Sequence, residues 1–200
     1  MLICMYSFNN SSNPFNVNIY VTNILLSSQT VNVNNFNIWH NAVIMLGSEV
    51  GHTVGFIMNQ PVMNINQEQI SKIYGIENQL PRQSVYCGGP VSMEKITIMH
   101  TLDYNIQGTN QINDHCAITF NEQIAQDILR GNGPDHYKIM VGYCVWADGQ
   151  LDAEIGRKMW LEDDYDEIVW AKYKRKSKMW RKIIEKNASK ATNQFFNSLT

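Results

Sequence analysis

The sequence predicts a single mixed α/β domain, and two patterns support this. Short apolar runs bounded by turn residues recur along the chain and indicate buried strands, while apolar residues at helical spacing follow some of them. Strands and helices are mixed irregularly along the chain. Two of the predicted strands are separated by so few residues that they are expected to form a hairpin. A chain of 200 residues, 44% of them hydrophobic, suffices for one domain with a substantial core.

The strongest pattern lies between Lys138 and Leu161. Its first part, through Trp146, is almost entirely apolar, which is typical of a strand buried on both faces. A short turn follows, in which Asp148 is predicted to cap a helix. The inward positions of that helix are Leu151, Ile155 and Met159. Ligands often bind at such strand-to-helix junctions, because the first N–H groups of a helix lack partners within it.

Further strands are predicted from shorter apolar runs. Two runs between Asn41 and Met58 flank a glycine-containing turn, so they are expected to form a hairpin. Other runs end at turn residues, as at the Gly-Gly-Pro corner of 88–90. These shorter strands are predicted at 84–87, 96–100 and 116–120. The residues between 90 and 96 are expected to form a brief connection.

Three further helices are predicted from capping residues and apolar spacing. One spans about 67–74, and another extends from its cap, Asn121, to residue 130. The last covers about 175–186, is amphipathic and is docked by Trp180. Residues 1–18, rich in Asn and Ser, are expected to be a poorly ordered extension, and 188–200 a C-terminal tail.

Composition limits the classes of function. The net charge of -2 argues against a surface built as a whole for nucleic acid, although an acidic run at 162–167 precedes a basic segment at 172–190. The four cysteines are far apart and form no CxxC pair, which favours buried, reduced thiols. Histidine spacing indicates no metal site, and no cofactor motif is present. We therefore predict a cytoplasmic protein with no membrane segment, no metal and no cofactor.

Three motifs, in this order, resemble the AlgH/YqgE family of bacterial proteins. They are GFIMNQP at 55–61, VYCGGPV at 85–91 followed by IMHT ending at 101, and VGYCVWADGQLDAEIGRKMWL at 141–161. The similarity extends from about residue 24 to 184. It implies a strongly bent, mostly antiparallel sheet, partly closed into a small barrel and covered by helices, in a domain spanning 19–187. Val145 and Ala147 depart from the pattern, because the family usually has glycine there.

The resemblance carries over positions within these motifs, and several of them can contact a ligand. Amide side chains, a carboxylate, an imidazole and exposed glycine backbone would suit a small polar ligand or a peptide strand of a protein partner. We predict that these residues converge on one site. The candidates are Asn59, Gly88, Gly89, His100, Gln150 and Glu154.

The leading hypothesis is a non-enzymatic regulatory or ligand-binding protein without catalytic residues, since family members are labelled transcriptional regulators. An alternative is an enzyme that uses His100 or Glu154 as an acid or base. Cys87 could serve as a nucleophile beside His100, but a buried thiol is the commoner outcome. Another alternative is nucleic-acid association through the basic segment. Its candidate residues are Lys174, Arg175, Lys178 and Arg181.

Overall fold

The protein adopts a mixed α/β fold in which a curled, mostly antiparallel sheet forms a half-barrel. This confirms the predicted fold class. The structure, a computed structural model, describes residues 19–22, 38–49, 52–62, 68, 71–72, 85–157, 159–163, 165, 167–171 and 176–197.

Within the described residues the sheet has ten strands. They are β1 (Ile19–Thr22), β2 (Val43–Glu49), β3 (His52–Ile57), β4 (Pro61–Val62), β5 (Val85–Cys87), β6 (Val91–His100), β7 (Thr109–Gln111), β8 (Ala117–Thr119), β9 (Tyr137–Ala147) and β10 (Trp160–Asp163). The main path runs β10-β1-β2-β3-β9-β6-β8-β7, while β5 pairs with β4 and β9. Only β5 and β9 run parallel among these pairs. The β2–β3 pair confirms the predicted hairpin.

The sheet is organised around β9, which pairs with β3, β5 and β6. Its first half lies beside β5 and its second half beside β3, and Gly142 separates the halves at a φ of 68°. In a regular strand, residues an odd number of positions apart point to opposite faces of the sheet. Met140 and Tyr143 are such a pair, yet both lie in the same buried cluster. The alternation of side chains therefore shifts by one residue at Gly142, where a positive φ favours glycine.

Helices cover the sheet at separate buried clusters. Three of these helices are α1 (Gln123–Arg130), α2 (Gln150–Gly156) and α3 (Lys176–Asn197). Ile124 of α1, Leu151 of α2 and Trp180 of α3 each lie in a different cluster. Docking of the C-terminal helix by Trp180 is thereby confirmed, and that helix continues to Asn197, beyond its predicted end.

The start of α2 differs from the prediction. Its N-cap is Gly149, which has a φ of 70° and forms no side-chain cap bond, so the capping role predicted for Asp148 is wrong. Gly149 occupies the N-cap position in the left-handed conformation, so Asp148 lies one residue before that position, and Asp148 is exposed. Gln150 Oε1 instead accepts a hydrogen bond of 3.2 Å from the backbone N–H of Ala147. The helix ends at Gly156, and Met159 lies beyond it.

Other boundaries are close to those predicted. β5 and β8 confirm the short strands. The N-cap of α1 is Glu122, which forms no side-chain cap bond, so the capping position predicted for Asn121 is wrong by one residue. Asn121 Oδ1 still accepts a hydrogen bond of 2.9 Å from the backbone N–H of Gln123. Of the helix predicted at 67–74 the structure describes only residues 68, 71 and 72, which are helical. The predicted extension at 1–18 lies outside the described residues.

Candidate ligand pocket at the bulge of β6

A wide bulge interrupts the pairing of β6 with β9. Val91 lies opposite Tyr143 and Ile96 lies opposite Val141, so four residues of β6 face Gly142 alone. We predicted a connection here, and this was wrong: both ends of the segment remain in the ladder, so it is the first half of β6. Ser92, at its start, has a φ of 51°, a conformation that non-glycine residues rarely adopt.

The bulge lines one side of a cavity of about 270 Å³. Aromatic side chains, hydroxyl groups and one ammonium group share its lining. The lining residues are Phe56, Ser92, Lys95, Thr97, Phe120, Gly142 and Tyr143. Bulges are common beside binding sites, because they re-aim side chains that a regular ladder would fix. We refer to this cavity as the bulge pocket.

Thr97, a residue of the pocket lining, carries an unpaired polar group. Its side chain is only 6% exposed, and its hydroxyl has no hydrogen-bond partner among the described residues. Burying a hydroxyl without a partner costs free energy, so such groups are uncommon in folded proteins. A ligand that hydrogen-bonds to Thr97 would remove this cost.

Gly88 and Gly89 lie directly behind the bulge pocket. A Cβ atom at Gly89 would be 2.5 Å from the backbone nitrogen of Cys144, and one at Gly88 would be 3.4 Å from the ring of Phe56. These glycines therefore permit close packing against β9 and a pocket wall. Their backbone groups also bond internally: Gly88 N–H donates to Val141 O at 2.8 Å. Their predicted contact with a ligand stays a prediction.

Asn59 holds two segments of the chain together. Its Oδ1 accepts a hydrogen bond of 2.9 Å from the backbone N–H of Val43, and its Nδ2 donates one of 2.7 Å to Asn41 O. The residue is buried, so its amide satisfies backbone groups where β2 begins. The contacts seen for Asn59 are thus structural, and its predicted role toward a ligand stays a prediction.

Glu154 joins α2 to the indole rings beneath it. Its Oε2 accepts hydrogen bonds from Trp146 Nε1 at 3.0 Å and Trp160 Nε1 at 2.7 Å, and its Oε1 accepts one from Gln150 Nε2 at 3.0 Å. The two indoles meet edge to face, with centroids 6.0 Å apart. The structure thus brings Gln150 and Glu154 together, in contacts that stabilise α2 against the sheet.

His100 is fully buried at the end of a chain of hydrogen bonds. Its Nδ1 lies 2.8 Å from Thr101 O, which can only accept, so Nδ1 carries the proton and Nε2 accepts from the hydroxyl of Thr119 at 2.8 Å. That hydroxyl in turn accepts from Thr109 at 2.8 Å. Burial lowers the pKa of His100, against smaller raising effects of the Thr101 carbonyl and Asp103. The ring is therefore a neutral, structural histidine.

The lowered pKa of His100 predicts an acid-sensitive fold. Below about pH 6.5 the unfolded chain takes up a proton at this ring, whereas the folded protein does so only at lower pH. The unfolding free energy should therefore fall as the pH decreases from about 6.5 toward the folded-state pKa. Urea denaturation across this range should give a shallower decline for His100→Gln than for wild type. His136→Gln, at an exposed ring, is the matched control, and an unchanged slope in His100→Gln would contradict the prediction.

The cysteines in the described part of the chain are buried thiols. Burial raises the pKa of Cys87, whose Sγ lies 3.8 Å from Gly89 O, and raises that of Cys116 to about 12. These thiols are poor nucleophiles, because the thiolate is the reactive form. Among the residues described, no three His, Cys, Asp or Glu side chains come together as a metal site. No described helix is long and apolar enough to cross a membrane.

The basic residues predicted for nucleic acid lie at and before α3. Lys178 and Arg181 are exposed on this helix, on the side opposite the buried Met179 and Ile183. Lys174 and Arg175 lie outside the described residues. Nucleic-acid binding by this segment stays a prediction.

Comparison with known proteins places the chain in a family. The model of AlgH-like proteins matches residues 24–191. The chain belongs to the AlgH-like family. A UPF0301 protein of Marinomonas sp. (strain MWYL1) is 32% identical over 130 residues, which cover 64% of this chain and 69% of the relative. One from Rickettsia africae is 34% identical over 137 residues, covering 67% and 72%.

Solved structures share the AlgH-like fold. The solution structure of the AlgH protein from Pseudomonas aeruginosa superposes with a TM-score of 0.63 at 19% identity, covering 86% of this chain and 89% of that one. A crystal structure of a protein from Corynebacterium diphtheriae gives 0.60 at 13% identity, covering 89% and 90%. At these identities the likeness concerns the fold.

Sequence reasoning did not identify the bulge pocket of this AlgH-like chain. The available signals were weak: polar residues between Val91 and Ile96, and a glycine within an otherwise apolar strand at Gly142. Either pattern can mark a bulge, but neither indicates which strand lies opposite. The motif glycines of the family, Gly88 and Gly89, did point to the layer of chain immediately behind the pocket.

Proposed function

We propose that this AlgH-like protein is a non-enzymatic regulatory protein that binds a small molecule in the bulge pocket. The observation that carries the proposal is the buried residue Thr97, which lines a cavity with largely apolar walls and whose hydroxyl lacks a hydrogen-bond partner among the described residues. A pocket with a few placed polar groups among apolar side chains is the usual form of a small-molecule site. Occupancy by a ligand would be the signal through which the protein acts.

The residues considered as a catalytic acid or base, His100 and Glu154, are not among the lining residues of the pocket. Its described lining holds hydroxyl groups and one lysine, without a carboxylate, imidazole or thiol. His100 and Glu154, the residues considered for an enzyme, both use their polar atoms in internal hydrogen bonds. A catalytic acid or base must instead reach its substrate.

The test compares two buried threonines that differ in pairing. Thr97→Val removes an unpaired hydroxyl and should raise the unfolding free energy of the ligand-free protein by about 1 kcal/mol, while it weakens ligand binding. Thr119→Val should lower that free energy by about 1–3 kcal/mol, because it leaves His100 Nε2 without its donor. Urea denaturation measures both effects. A metabolite-library thermal shift, compared between wild type and Thr97→Val, measures binding.

Two results would contradict the proposal. One is a loss of stability in Thr97→Val as large as that in Thr119→Val, which would mean that the Thr97 hydroxyl is already paired. The other is a library in which no compound stabilises the wild type more than Thr97→Val, since a ligand bound to that hydroxyl must distinguish the two proteins.

A further inference from the structure

We propose that the ligand of the bulge pocket is a small organic monoanion with an apolar body. Its carboxylate is bound beside Lys95 and Thr97. Its apolar body lies against Phe56, Phe120 and Tyr143. This inference rests on the proposed function, because it names the class of molecule that occupies the same pocket.

The polar side chains of the pocket lining offer hydrogen-bond donors and a positive charge. An ammonium group has three donors and no acceptor, and a hydroxyl can donate one hydrogen bond, so Lys95, Ser92 and Thr97 favour a ligand rich in acceptors. Lys95 forms no ion pair with any carboxylate of the described residues. The described lining also contains no acidic side chain that would attract a cation. Electrostatic complementarity therefore favours an anion.

The walls of the pocket suit an apolar body. The rings of Phe56 and Tyr143 lie with centroids 6.3 Å apart and planes inclined by 37°. Phe120 is 39% exposed, and covering its ring with a ligand would remove apolar surface from water. Gly142 adds backbone of β9 to the lining, while the position that a Cβ atom would take there already lies against Gly89 O and Val91 O.

The size and charge of the pocket limit the ligand further. A volume of about 270 Å³ is small beside the range of roughly 300–1,000 Å³ of drug-sized sites, which fits a single ring or a short chain. Lys95 is the only cation in the described lining, so a second negative charge on the ligand would lack a partner. A monocarboxylate satisfies both conditions.

The test uses benzoate, phenylacetate and hexanoate, each compared with its primary amide, and benzylamine as a cation. In titration calorimetry of the full chain, at least one carboxylate should bind about tenfold tighter than its amide. Lys95→Met should reduce this ratio to about twofold or less, since the charge of the exposed lysine supplies the difference. Lys72→Met, which removes another exposed lysine, should retain the wild-type ratio. Unchanged melting temperatures show that the variants remain folded.

The results separate this inference from the proposed function. Equal binding of carboxylate and amide, tighter binding of benzylamine, or a ratio unaffected by Lys95→Met would overturn the monoanion while the pocket remained a binding site. If no carboxylate bound but a library compound showed Thr97-dependent stabilisation, the ligand class alone would be wrong. If neither the carboxylates nor the library compounds showed binding that depends on Thr97, both the ligand class and the proposed function would be wrong.

Discussion

Gly89→Ala is expected to prevent the chain from folding to its native state. The added Cβ atom would lie 2.5 Å from the backbone nitrogen of Cys144 and closer still to the carbonyl group of Tyr143. Both neighbours belong to the backbone of β9, the central strand, so relief requires that the sheet itself move. We expect a loss of more than about 4 kcal/mol, a large fraction of the stability of a typical domain. Near-ultraviolet circular dichroism and urea denaturation measure it.

Gly156→Ala is the matched control for this substitution. A Cβ atom at Gly156, the last residue of α2, would meet nothing within 4 Å. Alanine is also a better helix former than glycine, so the unfolding free energy should stay within about 1 kcal/mol of the wild type or rise slightly. A Gly89→Ala protein with a wild-type denaturation midpoint would show that the Gly-Gly-Pro corner is not packed against β9 in this way.

Glu154→Ala is expected to lower the unfolding free energy by about 3–5 kcal/mol. The substitution removes the acceptor shared by the indole N–H groups of Trp146 and Trp160, both of which are buried. Each buried donor left unpaired costs about 1–3 kcal/mol, and bonds to a carboxylate are at the strong end of the range. Glu154→Gln keeps one acceptor oxygen for the indoles and should lose less, about 1–2 kcal/mol. Urea denaturation followed by tryptophan fluorescence reports on both.

Asp152→Ala is the control for removing a carboxylate from the same helix. Asp152 is exposed in the first turn of α2 and has only a weak interaction with the helix dipole, so its loss should cost less than about 1 kcal/mol. If Glu154→Ala resembled Asp152→Ala in stability, the carboxylate would not be needed to hold the indoles. Its predicted role as a ligand contact would then be favoured.

Sequence patterns within short segments of the chain predicted much of the fold. Apolar spacing and turn residues within one short segment were enough to predict strand β9, the β2–β3 hairpin and helix α1. The docking of α3 by Trp180 was predicted in the same way. The ordered motifs also identified the family, and with it the bent sheet, because several motifs in one order are specific even where each alone is weak.

The role of individual polar residues could not be predicted in this way. Asn59 bonds to residues 16 and 18 positions away, and the buried Lys138 donates from Nζ to Met58 O at 2.6 Å across 80 positions. The type of a polar residue determines which groups it can form hydrogen bonds with, whereas its actual partner depends on which segments pack together. Glu154 shows the same limit, since its indole partners lie on two different strands.

The fold class, the strand–turn–helix unit around β9 and the membership of the AlgH-like family could all be predicted from the amino-acid sequence. The position of the cavity, in contrast, depends on how distant segments pack in the folded chain. Local spacing records which side chains can be buried, but the bulge pocket depends on the register between β6 and β9 and on the left-handed turn at Gly142 opposite the bulge. Strand register arises from contacts between distant segments, so Thr97 and Lys95 acquire their importance only when the chain has folded.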